Sequence, residues 1–279
     1  MPAHIGRSAL TAFQSVIQSA FNIMLKTSRY RTAIAAFLLA LIAPGTLASV
    51  VLTGTRVIYP ESEREVTLKL TNEGETPSLV QAWIDDGDSK ATPESAKSPF
   101  TLVPPMFRLD PKKGQTLRII YLREPLPRDR ESMFWLNVLD VPPVASKGEN
   151  LQNSLQFAFR SRIKLMFRPD GLPGDAASAP ESVTWRFLRK DDGQHVLTAT
   201  NPTPYHITYI LVEATAQGHV YRNDAGAMVE PGATIEFPIG DTPVVSSEPE
   251  QVHYTTINDF GAGVSSIYKS KPTRSAKGQ

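Results

Sequence analysis

Downstream of residue 48 the apolar positions fall into short runs separated by turn-forming clusters. Runs at 50–59, 65–70, 79–84, 116–122 and 133–139 are rich in β-branched and aromatic side chains. Asn72-Glu73-Gly74, Asp85-Asp86-Gly87-Asp88, Pro111-Lys112-Lys113-Gly114 and Pro142-Pro143 divide them. Strand-like runs at a spacing of roughly 8–12 residues predict an all-β sandwich. Between 170 and 180 the composition turns to Gly, Pro, Ala, Ser and Asp, which reads as a linker. Strand-like runs resume at 183–188, 195–199, 207–214, 234–237 and 252–257. The pattern therefore predicts two β-sandwiches joined near residue 170.

One segment departs from this rhythm. Leu155, Phe157, Phe159, Ser161, Ile163, Leu165 and Phe167 alternate with Gln156, Ala158, Arg160, Arg162, Lys164 and Met166. Period-two alternation predicts a strand with one apolar and one mostly polar face. At ~3.3 Å per residue it would run roughly 43 Å, against the usual ~17–20 Å. On the residues alone two readings stay open: the whole apolar face is core, or part of it serves another chain along an unpaired edge. Exposed apolar edges template aggregation, so the second reading requires a functional reason.

Residues 1–48 stand apart from the fold. Lys26, Arg29 and Arg31 precede an apolar run over 32–42, Pro44-Gly45 break it, and Thr46-Leu47-Ala48 end it in small residues. This is the order of a secretory signal, with cleavage expected between Ala48 and Ser49 and Met24 as a candidate true start. The run is shorter than the ~20 apolar residues of a membrane span, so no membrane insertion of the mature chain is expected.

Composition narrows the classes further. The 279 residues carry 29 Lys+Arg and 28 Asp+Glu. The leader holds Arg7, Lys26, Arg29 and Arg31 and no acid, so 25 basic and 28 acidic residues remain beyond it. That balance lacks the basic footprint of a nucleic-acid binder. With no Cys, disulfides, thiolate metal sites and cysteine nucleophiles are excluded. The end of the chain, with Lys269, Lys271, Arg274 and Lys277, forms a polar basic tail.

Several motifs in order resemble the periplasmic pilus (fimbrial) chaperones of chaperone–usher systems, in their short-loop branch. They are Thr55-Arg56-Val57-Ile58-Tyr59-Pro60, Val80-Gln81-Ala82-Trp83-Ile84, Pro104-Pro105-Met106-Phe107-Arg108-Leu109 and Leu126-Pro127 through Glu131 to Asn137. Arg162-Ile163-Lys164-Leu165-Met166-Phe167-Arg168-Pro169, Asn201-Pro202-Thr203-Pro204-Tyr205 and Ile257-Asn258-Asp259-Phe260-Gly261 complete the set. The resemblance implies two immunoglobulin-like β-sandwich domains at an angle with a cleft between them. It divides the chain into a signal peptide (1–48), an N-terminal domain (49–170) and a C-terminal domain with the basic tail (171–279).

The resemblance also implies a role: a periplasmic chaperone that binds, folds and caps pilus subunits by donor-strand complementation and delivers them to an outer-membrane usher. Leu155, Phe157 and Phe159 match the donor positions. Arg56 and Lys164 match the pair that binds the subunit's C-terminal carboxylate. Glu131, Arg168 and Asp259 match a charged network linking the domains. No cofactor is implied, and the free form is expected to self-associate through its exposed donor strand.

Enzymatic readings gain little from the sequence. His195, His206, His219 and His253 lie outside any metal-binding spacing, and no nucleophile elbow, phosphate loop or dinucleotide fingerprint is present. Asp85-Asp86-Gly87-Asp88 lacks the distal Glu of a calcium loop and suits a turn. The alternatives are a two-domain immunoglobulin-like adhesin or surface-binding module, which would lack the Arg56/Lys164 pair, and a secreted sandwich hydrolase, which would need clustered acids.

Overall fold

A computed structural model describes residues 49–143, 156–239 and 248–270. The expected signal peptide, Leu155 and residues 271–279 of the tail lie outside the described residues. In the first half, strands run β1 (Val50–Leu52), β2 (Arg56–Pro60), β3 (Val66–Asn72), β4 (Ser78–Asp85), β5 (Phe100–Val103), β6 (Met106–Leu109), β7 (Gly114–Tyr121), β8 (Ser132–Val141) and β9 (Phe159–Arg168). They form a four-stranded sheet, β1-β3-β7-β5, and a five-stranded sheet, β2-β9-β8-β4-β6. Alternate residues of both sheets, among them Tyr59, Leu70, Val80, Leu117, Ile119, Leu136, Leu165 and Phe167, bury into one core.

The second half holds β10 (Thr184–Arg189), β11 (His195–Thr200), β12 (Ile207–Ala216), β13 (His219–Asn223), β14 (Ala227–Val229), β15 (Thr234–Pro238), β16 (Gln251–Ile257) and β17 (Gly263–Lys269). Sheet β10-β11-β15 packs against β13-β12-β16-β17, with β14 also paired to β12. Its core is built on Trp185, Tyr209, Phe237 and Tyr254, whose rings meet at centroid distances of 5.3–6.0 Å. Such aromatic packing is favourable beyond area burial. The Gly- and Pro-rich stretch between the cores turns through Gly171 and Gly174, both at positive φ, and a short 3-10 turn over Ala179–Ser182.

Two expectations change. The apolar run at 50–59 is not one strand, because β1 pairs with β3 in one sheet while β2 pairs with β9 in the other. The chain changes sheets at Thr53-Gly54-Thr55, where the Thr53 N–H and hydroxyl still reach the Lys69 carbonyl before pairing with β3 ends. The expected strand over 155–167 begins only at Phe159 among the described residues, with 156–158 outside it. The structure also adds β5, β6, β13, β14 and β17, which the apolar runs did not single out.

Candidate functional site

β9 has two neighbours along only part of its length. Antiparallel pairing with β8 runs from Phe159↔Asp140 to Phe167↔Ser132. Parallel pairing with β2 starts only at Lys164↔Arg56 and ends at Arg168↔Pro60. Among the described residues, the other flank of Phe159–Ile163 therefore presents unpaired backbone N–H and C=O groups. Side-chain burial changes along the same strand. Leu165 and Phe167 enter the core, whereas Phe159 is 65 % exposed and Phe157, just before the strand, 57 %. The rings of Phe157 and Phe159 lie 6.4 Å apart. The single apolar face read from the sequence thus has two fates, core below Ile163 and solvent above it.

The free edge stops where Arg56 and Lys164 stand directly opposite each other. Both side chains leave the sheet on the face away from the core, since Val57 and Leu165 take the core side. Arg56 donates through an Nη to the Ile257 carbonyl at 3.0 Å, and its Nε is buried without a hydrogen-bond partner. Lys164 donates to the Thr208 hydroxyl at 3.1 Å. Burial, and then the nearby Arg56 charge, push the Lys164 ammonium down to about 8. Burial likewise lowers Arg56, against the raising influence of Asp259 and Glu131. Thr55, Arg56, Trp135, Lys164, Ile257 and Gly261, together with Arg162 and Ile163, line an open cavity of about 340 Å³ between the domains.

The loop after β16 is shaped to meet β2 at this point. Gly261 has φ 82°, and a Cβ there would lie 2.6 Å from the Thr55 hydroxyl. Only glycine suits both the positive φ and that approach.

The charges around the pair are otherwise balanced. Arg168 donates from Nε to Glu131 at 2.8 Å and bridges Asp259 at 2.7 and 3.0 Å. Hydrogen bonds and charge from Asp259 and Glu131 raise the Arg168 guanidinium against the burial that would lower it. Glu131, buried in the N-terminal sandwich, also accepts from the His206 N–H at 2.7 Å and faces its ring Nδ1 at 3.2 Å. The Glu131 N–H donates to the Pro204 carbonyl at 2.9 Å, so the network ties residues of both sandwiches. In the sequence His206 is notable only for lying outside any metal-binding spacing. The structure gives its ring and backbone a polar partner.

A second network was missed. Asp85, at the end of β4 and fully buried, accepts from Arg162 at 2.6 Å, Asn137 Nδ2 at 2.7 Å and the Gly87 N–H at 2.8 Å. Asn137 in turn accepts from Arg160 at 2.6 and 2.9 Å. The guanidinium carbons of Arg160 and Arg162 lie 4.8 Å and 4.2 Å from the ring centroids of Trp83 and Trp135. The signal available in the sequence was the alternation Arg160, Arg162, Lys164 on one face, which demands anions or aromatic surfaces on neighbouring strands.

Of the cations on this face, Arg160, Arg162 and Arg168 lie within salt-bridge distance of an acid. Among the described residues, Arg56 and Lys164 have no carboxylate within that distance. The pair sets two partly desolvated cations side by side, an arrangement chemically suited to an anion. No cluster of side chains suited to a metal ion occurs among the described residues. No helix there is long and apolar enough to cross a membrane.

Residues 49–173 match the pili and flagellar-assembly chaperone family in its PapD N-terminal domain, and residues 178–268 match the PapD C-terminal domain. The chaperone protein FimB/FhaD of Bordetella pertussis is 45% identical over 233 residues, covering 82% of this chain and 91% of that one. The crystal structure of the Pseudomonas aeruginosa CupB2 chaperone superposes with a TM-score of 0.64 at 41% identity, over 78% of this chain and 99% of that one. The Salmonella enterica SafB chaperone, solved in complex with the SafA pilin, gives a TM-score of 0.65 at 27% identity, over 81% and 98%. The family's members are chaperones and not enzymes, and its domains are immunoglobulin-like sandwiches. With both domain models in order and close relatives along nearly the whole described chain, the protein belongs to the PapD family of pilus-assembly chaperones.

Proposed function

We propose that this chaperone captures a pilus subunit by adding its exposed β9 edge to the subunit's sheet, with the subunit's terminal carboxylate held by Arg56 and Lys164. One observation carries the reading: the unpaired edge of β9 ends, in register, at the two cations of this face that have no carboxylate within reach. A segment whose C-terminus sits at that pair continues the line of β2 backwards, so it runs parallel to β9. Its backbone pairs with Phe159–Ile163, and Phe157 and Phe159, with Leu155 before them, point into the subunit's groove. The charged anchor sets the register, and a one-residue error would turn every donor side chain to the wrong face.

The basic and apolar order of the leader supports export to the periplasm. Delivery to an outer-membrane usher is the expected onward step for a subunit held this way. Exposed Phe157 and Phe159 also support self-association of the free form. The test is periplasmic co-expression with a pilin-like subunit, using wild type and Lys164→Ala. A soluble one-to-one complex with wild type and its loss in the variant is the expected result. A subunit that stays soluble alone, or that never binds, overturns the proposal for that pair.

A further inference from the structure

Alternation excludes a one-residue slip between chaperone and subunit, but it does not exclude a slip of two. Moving the subunit by two residues keeps every donor side chain on the correct face and merely shifts each to the next pocket. Only the anchor separates the two registers. A rival anchor stands in the required place. Arg162 is two residues upstream of Lys164 on the same face and lines the same cavity as Arg56 and Lys164.

We infer that Asp85 is a register-determining residue: its buried carboxylate occupies Arg162 so that the subunit's terminal carboxylate finds only Arg56 and Lys164. Asp85 lies in the register row of Trp135 and Lys164, two strands from β9, and Arg162 reaches it diagonally across the Trp135 ring. The contact is close, at 2.6 Å, and Asp85 is fully buried. Asn137 orients the acid by donating to its second oxygen, and the same amide's carbonyl takes up Arg160. Both guanidiniums are thereby drawn across the sheet, away from the free edge, where unpaired basic side chains would obstruct an arriving strand. Burial would raise the Asp85 carboxyl, but hydrogen bonds from Arg162, Asn137 and Gly87 outweigh it and hold the group below the usual range. An arriving carboxylate at Arg162 would meet that fixed negative charge. At Lys164 no carboxylate of the described residues lies within salt-bridge distance, and Asp259 and Glu131, which act on Arg56, are paired with Arg168. Discrimination of this kind works by penalising the wrong partner as much as by holding the right one.

The inference rests on the reading of Arg56 and Lys164 as the carboxylate anchor, and the experiment separates the two. The chain has no cysteine, so single reporters at Ala158→Cys or Gln156→Cys form disulfides free of background. A pilin subunit with one cysteine, chosen to oxidise onto position 158 in the wild-type register, is co-expressed with each. Asp85→Asn is expected to divide the product about equally between 158 and 156, since Arg162 then offers a comparable charge-assisted site. Adding Arg162→Gln restores the single product at 158. Lys164→Ala abolishes capture while Asp85 is present, and Lys164→Ala with Asp85→Asn recovers it at 156. A single product at 158 from folded Asp85→Asn overturns the inference. So does capture at 156 by Lys164→Ala alone, a result that does not depend on Asp85→Asn folding. Undiminished capture at 158 by Lys164→Ala overturns the anchor itself, and the role of Asp85 with it.

Discussion

Arg56 and Lys164 are direct register partners on adjacent parallel strands, with both cations on the same face of the sheet. Like charges placed opposite each other destabilise a sheet. Among the described residues no carboxylate lies within salt-bridge distance of either cation, and burial and the Arg56 charge hold the Lys164 amine at about 8. A chain selected for stability alone would place an acid or a neutral side chain at one of these positions. The arrangement is suited to a ligand that brings the negative charge with it.

Capture should therefore weaken with alkaline pH. A bound carboxylate favours the protonated amine, so affinity is level below about pH 7 and falls as pH rises through the free-state value of about 8. Losing a charged hydrogen bond of about 1.5–3 kcal/mol predicts a drop of roughly ten- to a hundredfold. Titration calorimetry of a subunit-derived peptide with a free C-terminus from pH 6 to about 10 would show it. The C-terminally amidated peptide should bind weakly throughout, and Lys164→Arg should remove the fall.

The same shift makes a prediction for the free protein. The folded amine, at about 8, lies below the 10.5 of an unperturbed lysine, so between those values the unfolded chain binds more protons. Stability then rises with pH across that window, and below it the full penalty persists. Lys164→Met removes the penalty. It should melt at higher temperature than wild type at pH 7, show no rise between pH 8 and 10.5, and fail to capture subunit. A lower melting temperature for Lys164→Met would show that the ammonium contributes packing that outweighs its desolvation.

The two halves of the alternating segment should respond oppositely to truncation. Phe159 is 65 % exposed, so Phe159→Ser should change stability by no more than about 0.5 kcal/mol while removing subunit capture. Leu165 is fully buried in the core, and Leu165→Ala should cost about 2–5 kcal/mol. Chemical denaturation of both variants, beside co-purification with a subunit, separates the roles.

The difference between Phe159 and Leu165 also marks how far the sequence could be read. Alternation is visible in both, but it reports only that the side chains share a face. What covers that face is the core shared with the opposing sheet, which takes in Leu165 and Phe167 but not Phe159, while β2 pairs with β9 only from Lys164 onward. The split of 50–59 into β1 and β2 left a trace in the polar break Thr53-Gly54-Thr55-Arg56, but a single glycine inside a strand-like run reads equally as a bulge. The linked motifs placed Glu131, Arg168 and Asp259 together, and the ion pairs form. Asp85 read as the first residue of a turn, and its Gly87 contact fits that. Its main partner, Arg162, is 77 residues away in sequence, at a separation where local pattern carries no information.

The energy of this network is divided unevenly between the partners of Arg168, of which Glu131 belongs to its own sandwich and Asp259 to the other. The Glu131 side chain is 1 % exposed, whereas that of Asp259 is 35 % exposed. Among the described residues, removing the guanidinium leaves the Glu131 carboxylate buried with His206 as its one donor. Breaking a buried pair from one side costs about 3–5 kcal/mol, because the remaining charge keeps its desolvation penalty. Asp259→Asn leaves the Arg168–Glu131 contact in place and faces solvent, so its cost should stay near 1 kcal/mol or less. Arg168→Met should therefore lower the melting temperature more than Asp259→Asn does. It should also split a single calorimetric transition into two, because the contact between the cores is loosened while each core keeps its own apolar packing. Small-angle scattering of Arg168→Met should show a broader distribution of interdomain distances than wild type. If Arg168→Met and Asp259→Asn lose equal stability and keep one transition, the sandwiches stay coupled without the guanidinium, and Glu131 is satisfied without it.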